Sequence, residues 1–161
     1  MRQKTRKLVF SAMLAAVVCV VTMVVKIPYY QGYLNLGDSI VLACGALLSP
    51  LYAFGAAAIG SALADLFFGY IAYAPVTFFI KGVMALCVFY AMKRCGKKYG
   101  IFIGGLIAEC LMVLGYFAFE SVLYGIAAAL VGVPMNAIQG VVGLVLGAVL
   151  VKIFGKYHIK L

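Results

Sequence analysis

Residues 93–98 read Lys-Arg-Cys-Gly-Lys-Lys and separate two long stretches that carry almost no charge. Two further basic clusters lie near the ends of the chain, at 2–7 and 152–160, and only Lys26 and Lys81 of the 13 basic residues fall outside the three clusters. Short loops rich in Lys and Arg stay on the cytoplasmic side of a membrane. We therefore expect all three clusters to face the cytoplasm, with an even number of membrane crossings between successive clusters.

The composition supports a membrane protein. Hydrophobic residues make up 67% of the chain and charged residues 11%, and the mean hydropathy is +1.17. A net charge of +9 would suit nucleic acid, but the basic residues border apolar stretches and form no stripe on a folded surface, so we expect no nucleic-acid partner. The five cysteines form no C-x-x-C pair, and we expect neither a metal site nor a cofactor.

The sequence predicts an all-α integral membrane protein of the cell membrane, with one domain over residues 1–161, six transmembrane helices and both termini in the cytoplasm. The spans are predicted at about 8–26, 37–49, 51–68, 75–92, 100–120 and 134–154. Pro28 ends the first helix, so 28–36 is expected to be an outside loop, and 124–133 an outside connection. The weakly charged turn at 49–52 leaves the boundary between spans two and three open.

Charged side chains within a membrane are costly, which makes those that remain candidates for function. Under the charge-derived topology, the candidates fall mainly in the outer half of the bundle. On span five, Glu109, Tyr116 and Glu120 are spaced i, i+7 and i+11, within a stripe about 40° wide. We therefore predict a cavity that opens outward. Its candidate binding residues are Asp38, Thr77, Lys81, Glu109, Tyr116, Glu120, Asn136 and Gln139.

Structural roles compete with binding at several of these positions. Lys81 could pair with Asp38, Asp65 or Glu120 and only pin helices together. For Asp65 we expect capping or pairing, and Tyr116 could equally be packing. Three pairs of small residues four apart indicate close helix approach, which is more often internal packing than a partner site. These pairs are Ala12 and Ala16, Gly60 and Ala64, and Gly143 and Gly147.

An enzyme is not expected. The single histidine, His158, lies in the C-terminal tail, away from the intramembrane carboxylates. The chain contains no G-x-x-x-x-G-K-[ST] motif for binding nucleotide phosphates. Energy for uphill transport would therefore come from an ion gradient or from partner subunits.

Four segments together resemble substrate-binding S components of energy-coupling factor (ECF) transporters. They are Tyr-Leu-Asn-Leu-Gly-Asp at 33–38, Gly-Ser-Ala-Leu-Ala-Asp-Leu at 60–66, Tyr-Ala-Pro-Val-Thr-Phe-Phe-Ile-Lys-Gly at 73–82 and Pro-Met-Asn-Ala-Ile-Gln-Gly at 134–140. The resemblance is nearest to the branch that handles hydroxymethylpyrimidine and B6 vitamers, whose members often carry a riboflavin label.

The resemblance implies a six-helix protein that captures a vitamin from outside beneath a lid at 29–35, so Tyr33 and Asn35 join the candidate contacts. It also implies partners, namely a transmembrane coupling subunit and two cytoplasmic ATPases, with docking through Ala12 and Ala16. The expected function is substrate binding in an ATP-driven vitamin importer, with a B6 vitamer or hydroxymethylpyrimidine as the favoured ligand. The alternatives are a riboflavin S component, a stand-alone carrier with Glu109 or Glu120 carrying protons, and a structural subunit without ligand.

Overall fold

A computed structural model describes residues 3–29 and 32–156. The predictions made for Arg2, Lys160 and His158, and for residues 30–31 of the expected lid, lie outside the described residues. The elements in chain order are α1 (Gln3–Val24), β1 (Lys26–Tyr29), β2 (Gly32–Asn35), α2 (Gly37–Leu47), α3 (Pro50–Phe67), α4 (Ala74–Tyr124) and α5 (Ile126–Lys156).

The segment after α1 is a β-hairpin, where an irregular loop was expected at 28–36. Its strands β1 and β2 pair antiparallel, with Ile27 opposite Leu34 and Pro28 opposite Tyr33. Pro28 is tolerated because a two-stranded ribbon consists of edge strands, in which a residue can lack a ladder donor. The hairpin joins the end of α1 to the start of α2.

Helix α4 folds back on itself at Gly96. This residue has φ 75° and ψ 169°, a conformation that only glycine adopts at little cost, within an otherwise helical segment. A Cβ on Gly104 would lie 2.7 Å from Cα of Val88, and Thr77 and Tyr116 are hydrogen-bonded at 2.9 Å, so the two arms run antiparallel in contact. The loop predicted between residues 92 and 100 is thus reduced to a single non-helical residue.

Helix α5 begins eight residues before the predicted span. The segment expected to be an outside connection is helical from Ile126, and Pro134 lies inside the helix. Only Gly125, with φ 85°, separates α4 from α5. The reason is that the apolar residues before Pro134 favour helix, and the freed carbonyl of a single proline is tolerated in a membrane helix.

The helical class of the fold is confirmed, whereas the count of six spans is not. Among the described residues, four helices (α1, α3, α4 and α5) are long and apolar enough to cross a membrane. Helix α2 has 11 residues, or about 16 Å at 1.5 Å per residue, roughly half of a hydrocarbon core. The four long helices include α4, whose 51 residues form the two arms.

Small residues let helices approach closely inside the bundle. A Cβ on Gly60 would meet the carbonyl oxygen of Ala15 and the side chain of Val18 on α1. On α5, a Cβ on Gly143 would lie 2.8 Å from Cβ of Asp38, and Gly147 lies against Leu42. These glycines therefore serve internal packing. By contrast, Ala12 and Ala16 are exposed on the outer face of α1.

Candidate functional site

A cavity lies beneath the β1–β2 hairpin, at the end of the bundle opposite Gly96. Thr77, which lines the cavity, precedes Gly96 by 19 residues, or about 28 Å along a helix. The cavity and the basic cluster at 93–98 therefore lie at opposite ends of the bundle. The free volume is about 50 Å³. The lining residues come from α1, β2, the α3 to α4 region and α5: Thr22, Tyr33, Asn35, Ser61, Asp65, Tyr70, Tyr73, Thr77, Lys81, Tyr116, Glu120, Asn136 and Gln139.

Most of the residues predicted from sequence meet in this cavity. Those that line it are Tyr33, Asn35, Thr77, Lys81, Tyr116, Glu120, Asn136 and Gln139. Asp38 and Glu109 do not line it. Asp38 lies directly behind Lys81, and Glu109 lies deeper in the bundle. Ligand contact by any of these residues stays a prediction.

Asp38 is the centre of a buried polar network. Its Oδ1 accepts a hydrogen bond from Nζ of Lys81 within an ion pair, and its Oδ2 accepts one of 2.7 Å from Nε2 of Gln139. Asp38 is fully buried and Lys81 is 4% exposed. Lys81 Nζ also lies 3.0 Å from the sulfur of Met112. Of the three acids considered as partners for Lys81, the structure selects Asp38, which joins α2 to α4.

Two hydrogen-bonded contacts attach the hairpin to the helices below it. The backbone N–H of Asn35 donates to Oε1 of Gln139 at 3.0 Å, and its Nδ2 approaches the same oxygen at 3.3 Å. Tyr33 Oη donates to Oδ1 of Asp65 at 2.6 Å. The pairing role expected for Asp65 is therefore present, although Asp65 also lines the cavity. Gln139 connects the hairpin to Asp38, so the lining residues are held in one hydrogen-bonded frame.

Tyrosine rings form one wall of the cavity. The ring centroids of Tyr33 and Tyr70 are 5.4 Å apart, those of Tyr70 and Tyr73 5.8 Å, and those of Tyr73 and Tyr116 6.4 Å. Lys26, at the base of the hairpin, places Nζ 3.7 Å from the ring centroid of Phe68. Aromatic faces at these spacings can stack on a planar ring or attract a cation.

Glu120 lies at the α4 side of the cavity with unused hydrogen-bonding capacity. It is 2% exposed, and its Oε1 receives a long hydrogen bond of 3.4 Å from Tyr73 Oη. Its Oε2 has no hydrogen-bond partner among the described residues. A Cβ on Gly132 would lie 2.7 Å from Oε2, so the absence of a side chain there leaves this oxygen its space.

Glu109 occupies a separate position from Glu120 although both lie on the same face of α4. It is 6% exposed, packs against Gly140 and Gly143 of α5, and neither carboxylate oxygen has a hydrogen-bond partner among the described residues. Eleven residues separate the two acids in sequence, which is about 16 Å along the helix. Glu109 and Glu120 thus share the predicted face of the helix, but they lie at different depths in the bundle.

Five lining residues were not among the sequence candidates for binding: Thr22, Ser61, Asp65, Tyr70 and Tyr73. Tyr70 and Tyr73 belong to the turn between α3 and α4, outside the predicted spans. Thr22 and Ser61 are buried polar residues on apolar helices, at 4% and 3% exposure. Hydroxyl groups on otherwise apolar helices were the signal that could have identified them, because buried polar groups require partners.

Comparison with known proteins gives a consistent result. A family model described as "ECF-type riboflavin transporter, S component" matches residues 2–156. A protein of Pyrococcus woesei, described as "Uncharacterized protein in gap 3'region", is 37% identical over 132 residues, which is 81% of this chain and 88% of that protein.

Two solved structures share the fold. One, described as "Structure and mechanism of the S component of a bacterial ECF transporter", has a TM-score of 0.76 and 20% sequence identity, covering 96% of this chain and 98% of its own. The other is the S component for biotin from an ECF-type ABC transporter, with a TM-score of 0.54 and 18% identity, covering 93% of each chain. At these identities the structural likeness supports the fold alone.

Proposed function

The chain belongs to the family of ECF-type riboflavin transporter S components, and from this premise we propose that its outward cavity captures a small planar vitamin or precursor with a single ring. The protein is an integral membrane S component, a substrate-binding transport subunit and not an enzyme. The observation that carries the proposal is the cavity beneath the hairpin, which is lined by tyrosines together with Glu120, Asn136 and Gln139.

The size of the cavity favours a single ring. Pockets that hold drug-sized ligands have about 300–1,000 Å³, whereas this cavity has a free volume of about 50 Å³. Any vitamin therefore requires the hairpin to move, and a pyridine or pyrimidine requires the least displacement. A B6 vitamer or hydroxymethylpyrimidine fits this requirement better than the three-ring system of riboflavin, which remains the alternative within the same family.

The helix directions support six membrane crossings. Contacts of Ser11 with Tyr52 and of Gly60 with Ala15 are those of parallel helices α1 and α3. Contacts of Asp38 and Leu42 with Gly143 and Gly147 are likewise those of parallel helices α2 and α5. With α4 counted as two antiparallel arms, the directions alternate along the chain, and the short α2 is covered by neighbouring helices. We place the cavity outside and the basic clusters in the cytoplasm.

Energy for uptake would come from a transmembrane coupling subunit and two cytoplasmic ATPases. The outer face of α1 is available for the coupling subunit, because Ala12 and Ala16 are exposed and small enough to let a partner helix come close. Docking on this face leaves the cavity unobstructed, since the cavity is lined from the other side of α1 by Thr22.

The direct test is to identify the small molecule that the protein retains after mild purification, followed by calorimetric titration with pyridoxine, hydroxymethylpyrimidine and riboflavin. We expect tight binding of a single-ring ligand. Tight binding of riboflavin alone would replace this substrate with the alternative.

A second candidate function is a stand-alone proton-coupled carrier, favoured by Glu109, whose two carboxylate oxygens have no hydrogen-bond partner in the part of the chain that the structure describes. A buried carboxylate of this kind can carry a proton through a membrane. Uptake into liposomes by this chain alone, driven by a pH gradient, would support the carrier. Uptake that requires the coupling subunit and ATP would support the S component.

A further inference from the structure

The cavity beneath the hairpin is lined by more acidic than basic side chains. Two carboxylates line it, Asp65 and Glu120, which are 5% and 2% exposed. The lining residues include one cation, Lys81, whose ammonium group is already paired with Asp38 behind the cavity wall. Among the described residues, Lys81 forms its salt bridge with Asp38, and neither of the two lining carboxylates forms one with a cation.

One oxygen of each carboxylate lacks a hydrogen-bond donor among the described residues. Oδ2 of Asp65 and Oε2 of Glu120 have no partner among residues 3–29 and 32–156. Asp65 is the better satisfied of the two, because its Oδ1 receives the 2.6 Å hydrogen bond of Tyr33, whereas Oε1 of Glu120 receives only the 3.4 Å contact of Tyr73. Buried oxygens without donors are unfavourable, so a ligand that supplies a hydrogen-bond donor at Glu120 offsets this cost.

Glu120 lies between α5 and the tyrosine wall of the cavity. Its Oε2 packs against Gly132, where a Cβ would lie 2.7 Å from that oxygen. The rings of Tyr73 and Tyr116 lie in the same wall, so a planar ring placed against them can direct a substituent towards Glu120. Aromatic faces add attraction for a cation at such a position.

We infer that Glu120 selects ligands whose ring carries a protonated amine or an amino N–H group, and that the cavity discriminates against ligands carrying a phosphate or carboxylate. This inference rests on the proposed function and specifies its substrate class. A charged or N–H donor gains a charge-assisted hydrogen bond at Oε2, whereas an anion would meet two carboxylates at close range.

Pyridoxamine and pyridoxine test the inference, because they share one ring and differ only in an aminomethyl group in place of a hydroxymethyl group. We expect the purified wild-type protein to bind pyridoxamine at least about tenfold more tightly than pyridoxine in calorimetric titration. Pyridoxamine phosphate should bind at least about 100-fold more weakly than pyridoxamine.

Variants test whether Glu120 causes the preference for pyridoxamine over pyridoxine. Glu120→Gln keeps the shape and removes the charge, and should reduce the preference for pyridoxamine to within about threefold. Glu120→Asp keeps the charge and should retain the preference at lower affinity, which separates a charge effect from a folding defect. Asp65→Asn should retain most of the preference, and Lys152→Gln, in the exposed basic cluster, serves as the control.

The outcomes are distinct. Equal wild-type affinity for the two vitamers, or an undiminished preference in Glu120→Gln, overturns the inference while leaving single-ring capture intact. Loss of the preference in Asp65→Asn but not in Glu120→Gln overturns the assignment to Glu120. A wild-type protein that binds riboflavin and none of the single-ring ligands overturns both the inference and the proposed function.

Discussion

Tyr33 Oη donates a 2.6 Å hydrogen bond to Oδ1 of Asp65, which joins the hairpin to the C-terminal end of α3. The ring of Tyr33 also packs against Phe68 and Tyr70, with centroid distances of 5.2 and 5.4 Å. The hairpin has no hydrophobic core of its own, since it consists of two four-residue strands. Its position over the cavity therefore depends on such attachments.

Tyr33→Phe should loosen the hairpin without altering the helices. Removing a hydrogen bond to a buried carboxylate is expected to cost about 1.4 kcal/mol, equivalent to a tenfold faster release of ligand. Stopped-flow measurement of ligand dissociation checks this. Tyr90→Phe is the matched control, because Tyr90 lies 54% exposed on α4 and does not line the cavity. Equal release rates for wild type and Tyr33→Phe would contradict the attachment.

The slowing of ligand release by the Tyr33 hydrogen bond should persist at alkaline pH. Burial, and then the neighbouring carboxylate of Asp65, raise the pKa of Tyr33 above its ordinary value near 10. A raised pKa favours the neutral hydroxyl, so the stabilisation is complete below the ordinary pKa and is lost only as the pH rises through the raised one. The ratio of release rates between wild type and Tyr33→Phe should stay constant from about pH 7 to pH 9. A ratio that falls towards one within this range would contradict the prediction.

The Asp38 and Lys81 ion pair should couple α2 to α4. Asp38→Asn or Lys81→Met alone leaves a buried charge without its partner and should lower the free energy of unfolding by about 3–5 kcal/mol. The double variant removes both charges and should lose less than the sum of the single variants. Thermal unfolding in detergent measures the cycle, with exposed Lys93→Met as the control. Additive losses would show that the pair is not energetically coupled.

Glu120→Ala and Asn136→Ala should each weaken ligand binding by about 1–3 kcal/mol, or five- to 150-fold in dissociation constant. Both residues are buried and line the cavity from adjacent helices, at 2% and 6% exposure. Calorimetric titration of the purified chain measures the effect, and Lys152→Ala, exposed at the far end of α5, should leave affinity unchanged. Unchanged affinity in both cavity variants, with the fold intact, would place the binding site elsewhere.

Ala12→Trp or Ala16→Trp should abolish uptake by the assembled transporter while changing the ligand affinity of the isolated chain by less than about threefold. A tryptophan side chain on this face of α1 would keep a partner helix from approaching, but it would be remote from the cavity. Val17→Trp provides the control, because Val17 is 42% exposed on α1 yet its side chain points about 100° away from Ala16. Wild-type uptake in both alanine variants, or equal loss in Val17→Trp, would refute docking through this face.

Local chain properties were sufficient for the membrane class and for predicting that most of the polar residues gather at the end of the bundle opposite the basic cluster at 93–98. Hydropathy and the clustering of Lys and Arg determine how a segment inserts into the bilayer, and both can be evaluated for each segment separately. Helical periodicity also placed Tyr116 and Glu120 together, and both line the cavity. These features require no knowledge of how the helices pack.

Only the tertiary structure decided which polar residues pair with each other and how deep each one lies in the bundle. Asp38, Asp65 and Glu120 were equally acceptable partners for Lys81 by sequence, because the choice depends on the rotation and register of α2 against α4, which many distant contacts set together. Periodicity likewise could not distinguish the surroundings of Glu109 from those of Glu120. It shows which face of a helix a residue occupies, but not which residues of other helices pack against it. The sequence thus determined which residues are polar and towards which end of the bundle they lie; the packing of the helices determined which of them meet.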